Sequence, residues 1–281
     1  MLPELSEQDA SGDIAQIYDE IKTLCAVPYV SSLQRHLATR PGWLQWCWQT
    51  VRPVFISGLA QERAWQATVG THAPALAPVP LAAQQVWGID DSARATLKNI
   101  AALFVQVSPT NLAFSGIIRA VIADGANGVE GLAQPRAWQA PEPVPPPPAL
   151  VAQADISPAL QGVLGQFSVM VDGHPFIPGL YRMLAHYPHF LAYLATTLVP
   201  RFDDAETIAA CDEVKRRVDE TMLELVANEL PRIDRTELPP THEHAAVLEA
   251  IERYRETSPQ MIIYGRLIAQ CLRDGEQAAV G

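Results

Sequence analysis

The stretch SPTNLAFSGIIRAVIADG, Ser108 to Gly125, returns 150 residues later as SPQMIIYGRLIAQCLRDG, Ser258 to Gly275. Each copy opens with Ser-Pro, a serine hydroxyl able to cap free N–H groups followed by a residue that has no N–H to lose, so each predicts a helix start. Each closes with Asp-Gly, and glycine just past a helix enters the left-handed conformation without a side-chain clash. Between these ends the residues are apolar on nearly all sides, as in helices buried within a helical protein. The copies differ at their fourth position, where Asn111 of the first stands against Met261 of the second.

Working outward, the segment Gly173–Phe202 lies over Ala26–Phe55 at a constant offset of 147, and between Pro28 and Phe55 10 of 28 positions are identical. The chain therefore reads as a repeat over residues 1–131, a linker over 132–153 and a second repeat over 154–281. The linker contains PEPVPPPPAL, a run suited to extended polyproline II, and about 16 such residues at about 3.1 Å each could cross one helical unit. In the first repeat, helical spacing predicts a helix from Asp13 to near Cys25, two more punctuated by Pro28, Pro41 and Pro53, one over Ala60–Val69 and one capped by Asp91 and rich in leucine. Thr71–Pro80 reads as a connection. In the second, Ser157-Pro158 heads a helix, and others are expected over Asp204–Glu229 and Thr241–Glu256. No strand-like alternation is visible. The expected fold is all-α, with two homologous helical repeats packed as a pseudo-dimer within one chain.

The composition narrows the partners. A formal net charge of −11 without a basic cluster argues against nucleic acid and membrane surfaces. The four scattered cysteines lack a C-x-x-C pair, the N-terminus lacks a signal-peptide pattern, and no uninterrupted apolar run approaches a membrane span, so a cytoplasmic protein is expected. His242 and His244 lack the spacing of a zinc motif, and no metal site is expected. Nucleophile-elbow, phosphate-loop and dinucleotide-binding motifs are also lacking.

In a duplicated chain each half is a control for the other. The offset of 147 puts Asp172 against Cys25, and the later offset of 150 puts Asn111 against Met261. Both are polar in one half and apolar in the other, the pattern of one site built between two halves. Asp172 reads either as a cap for a helix beginning near Phe176 or as a base at the mouth of a pocket. Asn111 reads either as a satisfied buried amide or as a group holding water or substrate near the positive end of a helix. Arg35 and Arg182 occur in both halves, which favours structural ion pairs or helix-end contacts.

The S-P-T-N start at Ser108–Asn111, the D-G-x-P-F-I-P-x-L-Y-R segment from Asp172 to Arg182, the paired repeats and the proline-bearing linker together resemble the group I 2-haloacid dehalogenases. Those enzymes act on both enantiomers of short 2-halocarboxylic acids. The resemblance covers nearly the whole chain. It implies that Asp172 activates a water, that Asn111 helps to hold it, and that the water attacks the halogen-bearing carbon directly with inversion. It further implies that no cofactor is needed and that the chain forms a homodimer. Where the family has aromatic pocket walls this chain has Gln34 and Leu37, and before the aspartate, where serine is common, it has Val171; with Ser108 and Thr110 these complete the expected substrate pocket. The alternatives are another hydrolase or lyase acting on a small carboxylic acid, and a non-catalytic small-acid binder on the same scaffold.

Overall fold

Two long helices, α6 (Asp91–Ile122) and α11 (Thr241–Cys271), pack along each other and form the largest helix contact of the fold. The computed structural model describes residues 2–130, 138–171, 174–234 and 238–272. Before α6 come α1 (Gly12–Cys25), α2 (Ser32–Leu37), α3 (Trp43–Ile56), α4 (Leu59–Ala67) and α5 (Leu81–Val86). Between α6 and α11 come α7 (Pro158–Gly165), the strands β1 (Val169–Val171) and β2 (His174–Phe176), α8 (Gly179–Leu184), α9 (Pro188–Thr197) and α10 (Ala205–Asn228). Around α6 pack α11, α10, α4, α8 and α3. This follows from its composition: Leu97, Ile100, Leu103, Leu112, Phe114, Ile117 and Val121 are all buried, and burial of so many large side chains supplies most of the drive to fold. The same helix is long and apolar enough to cross a membrane by length and composition, but 78% of its most apolar window is buried inside the fold.

Most of the expected helices are present, and their caps explain their starts. Asp204 Oδ2 accepts from Thr207 N at 3.0 Å at the head of α10, and Ser157 Oγ accepts from Leu160 N at 3.2 Å with Pro158 behind it at the head of α7. The cap of α6 is Asp90 rather than the expected Asp91, since Asp90 Oδ1 accepts from Ala93 N at 2.8 Å. After α6 the chain turns at Gly125, with φ 69°, and Ala126 N donates back to Ala120 O at 3.1 Å, the closing bond of a glycine-terminated helix. The corresponding end of the second copy lies outside the described residues. From 138 to 152 the chain has neither helix nor strand, as its prolines require.

Three further expectations are corrected. Ser108-Pro109 and Ser258-Pro259 do not start helices; they lie inside α6 and α11. The segments preceding them are already helical and leave no spacer, so the serine N–H is used within the helix. Ser258 Oγ instead donates back to Tyr254 O at 2.9 Å, the bond a mid-helix serine makes. Pro109 forfeits one intrahelical bond, to the carbonyl of Val105. The second correction is the hairpin β1–β2, antiparallel with Val169 opposite Phe176 and Val171 opposite His174. Valines favour extended backbone, and Pro175 and Pro178 hold residues 174–178 out of the helical region until α8 starts at Gly179 rather than near Phe176. A proline is tolerated because the ribbon has only two strands, so β2 has a free edge. The third is Pro53, which lies within α3 instead of ending it.

The α6–α11 crossing is close at Gly265. A Cβ there would stand 2.9 Å from Ala101 O and 3.0 Å from Val105 Cγ2. Alanine normally stabilises a helix by about 1 kcal/mol over glycine. Here Gly265→Ala is expected to destabilise the protein by about 1–3 kcal/mol, because the carbonyl it meets can recede only by moving α6. Denaturant unfolding of the variant checks the sign.

Candidate active site

The α6–α11 crossing opens into a cleft of about 490 Å3 to which both halves of the chain contribute, a size typical of small-molecule sites. From α6 come Phe104, Val107, Ser108 and Asn111; from α11 come Ser258 and Met261. Asn111 and Met261 thus line one cleft, as the paired polar-to-apolar difference suggested. Asn111 is half-buried, one residue beyond Thr110, whose hydroxyl is used on Val107 O at 2.8 Å. Because α6 is continuous, no helix N-terminus follows Ser108, and the anion-binding N–H groups expected there are engaged in the helix.

Arg35 on α2 and Arg182 on α8 both line the cleft and differ in their surroundings. Arg35 Nη2 is 2.6 Å from Glu4 Oε2 and donates to Ser32 Oγ at 3.2 Å. Arg182 is exposed and makes no ion pair among the described residues. Of the two expected roles, ion pair or helix-end contact, Arg35 has the first, and Arg182 stands in the last turn of α8, where the second applies. Tyr29 and Tyr254 also face the cleft. Burial raises the pKa of both, against the pull of the Arg35 charge on Tyr29, so both stay protonated donors at neutral pH.

Gln34 is 3% exposed and lies behind Asn111, its Nε2 donating to Asn111 Oδ1 at 3.4 Å. Gln34, Thr110 and Asn111 surround a second, much smaller space of about 10 Å3 together with Cys25, Tyr29 and Ser31. Burial pushes the Cys25 thiol up to about 12, against a hydrogen bond with Thr110, so it is an inert wall and no nucleophile. Leu37 is fully buried in the core and lines neither space. Asp172 lies outside the described residues and so does the side chain of Val171; the strands that flank Asp172 lead directly into Phe176, Pro178 and Gly179 on the cleft wall.

Sequence reasoning missed Ser31, Tyr29, Tyr254 and the linker residues Pro147–Leu150 as parts of these walls. The polyproline stretch was read only as a spacer. It is pinned beside the cleft, where Ala149 O is 2.6 Å from His186 Nε2. No periodic signal marks residues that meet only when separate segments of the chain converge.

No family model matches the chain. Among curated proteins, a configuration-inverting 2-haloacid dehalogenase from Alcaligenes xylosoxydans xylosoxydans is 36% identical over 62 residues, 22% of this chain and 21% of that protein. The match thus spans about a fifth of the relative's length. Among solved structures, a D-2-haloacid dehalogenase mutant in complex with D-2-CPA superposes with a TM-score of 0.77 over 97% of this chain and 96% of that one. The chain has the fold of a D-2-haloacid dehalogenase. A complex of such a dehalogenase with L-LA superposes with a TM-score of 0.75, covering 97% of both chains. Sequence identity to these dehalogenases is 16% and 15%, so the likeness establishes the common fold.

Proposed function

We propose that this protein is a cofactor-independent hydrolase that converts short 2-haloalkanoic acids to 2-hydroxy acids. The observation that carries this reading is the cleft at the α6–α11 crossing, lined by Asn111 from α6 and Met261 from α11, in a chain that superposes on a dehalogenase over nearly its full length. The proposed duplication fits the helix boundaries. Ser32 and Gly179 start helices of equal length 147 residues apart, and Asp91 and Thr241 start the two central helices 150 residues apart.

In the proposed reaction, Asp172 takes a proton from a water whose oxygen attacks C2 in line with the carbon–halogen bond. The new C–O bond forms as halide departs with its bonding pair, and configuration inverts. The base must lie within about 2.6–3.2 Å of the water. Asn111 holds that water in place. Arg182 offers a guanidinium to the substrate carboxylate, a local cation that a protein of net charge −11 needs for an anionic substrate. Arg35 is less suited, since Glu4 already neutralises it.

Halide release from a panel of 2-chloro and 2-bromo acids tests the activity; release from none of them would refute it. A single turnover in heavy-oxygen water tests the route. Attack by water places the label in the product's new hydroxyl group and none in the protein. An ester route would draw the first product's hydroxyl oxygen from Asp172, unlabelled, and leave the label on that carboxylate. Mass spectrometry of the product and of the Asp172 peptide distinguishes the two.

A further inference from the structure

The small space behind Asn111 is lined by two residues with unanswered polar atoms. Gln34 Oε1 and Ser31 Oγ are both buried without a hydrogen-bond partner among the described residues, and both side chains line this space. Such atoms are rare in folded proteins unless a water or ligand meets them. The volume of about 10 Å3 admits one water and nothing larger. The other end of the same Gln34 amide holds Asn111 Oδ1. With that oxygen occupied, Asn111 keeps its Nδ2–H groups for the cleft.

We propose that Gln34 is a positioning residue: it fixes the orientation of the Asn111 amide and is itself braced by one buried water shared with Ser31 Oγ. This rests on the proposed function, because the water held by Asn111 is then the one that reacts. An aromatic or aliphatic side chain at position 34 could neither accept from the buried water nor donate to Asn111. Orientation set in advance matters for rate because a displaced water loses its alignment with the carbon–halogen bond.

Two arms test the proposal, one independent of turnover. A high-resolution crystal structure of the unmodified protein is expected to show a water within hydrogen-bond distance of both Gln34 Oε1 and Ser31 Oγ, with Gln34 against Asn111. An empty space, or a Gln34 side chain turned away, overturns it. For kinetics, Gln34→Met keeps the volume and removes both polar ends. It is expected to lower kcat on a 2-halo acid about tenfold, the worth of one hydrogen bond, with KM changed by no more than about twofold. In an Asn111→Ala background the same change is expected to have no further effect, since nothing remains to be oriented. An unchanged kcat, or an equal loss in both backgrounds as a mere change of pocket shape would produce, overturns the proposal. If the unmodified protein releases no halide at all, the proposed function fails on that result, and the crystallographic arm decides the role of Gln34 separately.

Discussion

Asp172→Asn is expected to lower turnover of a 2-halo acid about 10^3-fold, within the range that a positioned general base contributes, while leaving the melting temperature nearly unchanged. Asparagine has the shape of aspartate but cannot accept the proton of the attacking water. It can still cap a helix or close a tight turn as well as aspartate does. The substitution therefore separates the two readings of Asp172 that the sequence leaves open. Near-normal turnover in the variant would assign Asp172 a structural role and remove the base from the proposed mechanism. Asn111→Ala is the companion measurement and is expected to retain more activity, because holding a water contributes less than taking its proton.

The second large effect concerns stability. Asp219→Ala is expected to cost about 3 kcal/mol in denaturant unfolding, the loss typical of stranding a buried charge. The stranded group is Arg255 on α11, only 1% exposed. Its guanidinium donates to Leu112 O at 3.1 Å and Ser115 Oγ at 2.9 Å on α6, and pairs with Asp219 on α10. Glu252 at 3.8 Å is a weaker second partner. One side chain thus ties three helices together beside the cleft, at the residue following Asn111. The double variant Asp219→Leu with Arg255→Met is expected to recover much of the loss, since it leaves no unpaired charge. A double variant no more stable than Asp219→Ala alone would show that packing around Arg255, rather than its charge, sets the cost.

The sequence by itself determined the helical class, the proline-rich stretch without helix or strand, and the pair of positions, Asn111 and Met261, that differ between the two Ser-Pro stretches. These are local or additive properties. Periodicity of apolar residues, the capping group Ser157 and the turn at Gly125 are each decided within a few residues, and the structure has them where the sequence puts them. The three Ser-Pro pairs show where local reading stops. The pair at Ser157 follows the proline linker and caps a helix. The pairs at Ser108 and Ser258 follow segments already helical and lie inside one. The dipeptide is the same; burial of the whole of α6 and α11 outweighs the one hydrogen bond that each proline removes. The site shows the same division. Asn111 was singled out because Met261, its counterpart in the proposed repeat, is apolar. The partnership of Gln34 with Asn111, the neutralisation of Arg35 by Glu4 and the linker's place on the cleft wall were decided only by the tertiary structure. Each joins residues from separate segments, and their approach depends on how the helices pack rather than on spacing along the chain.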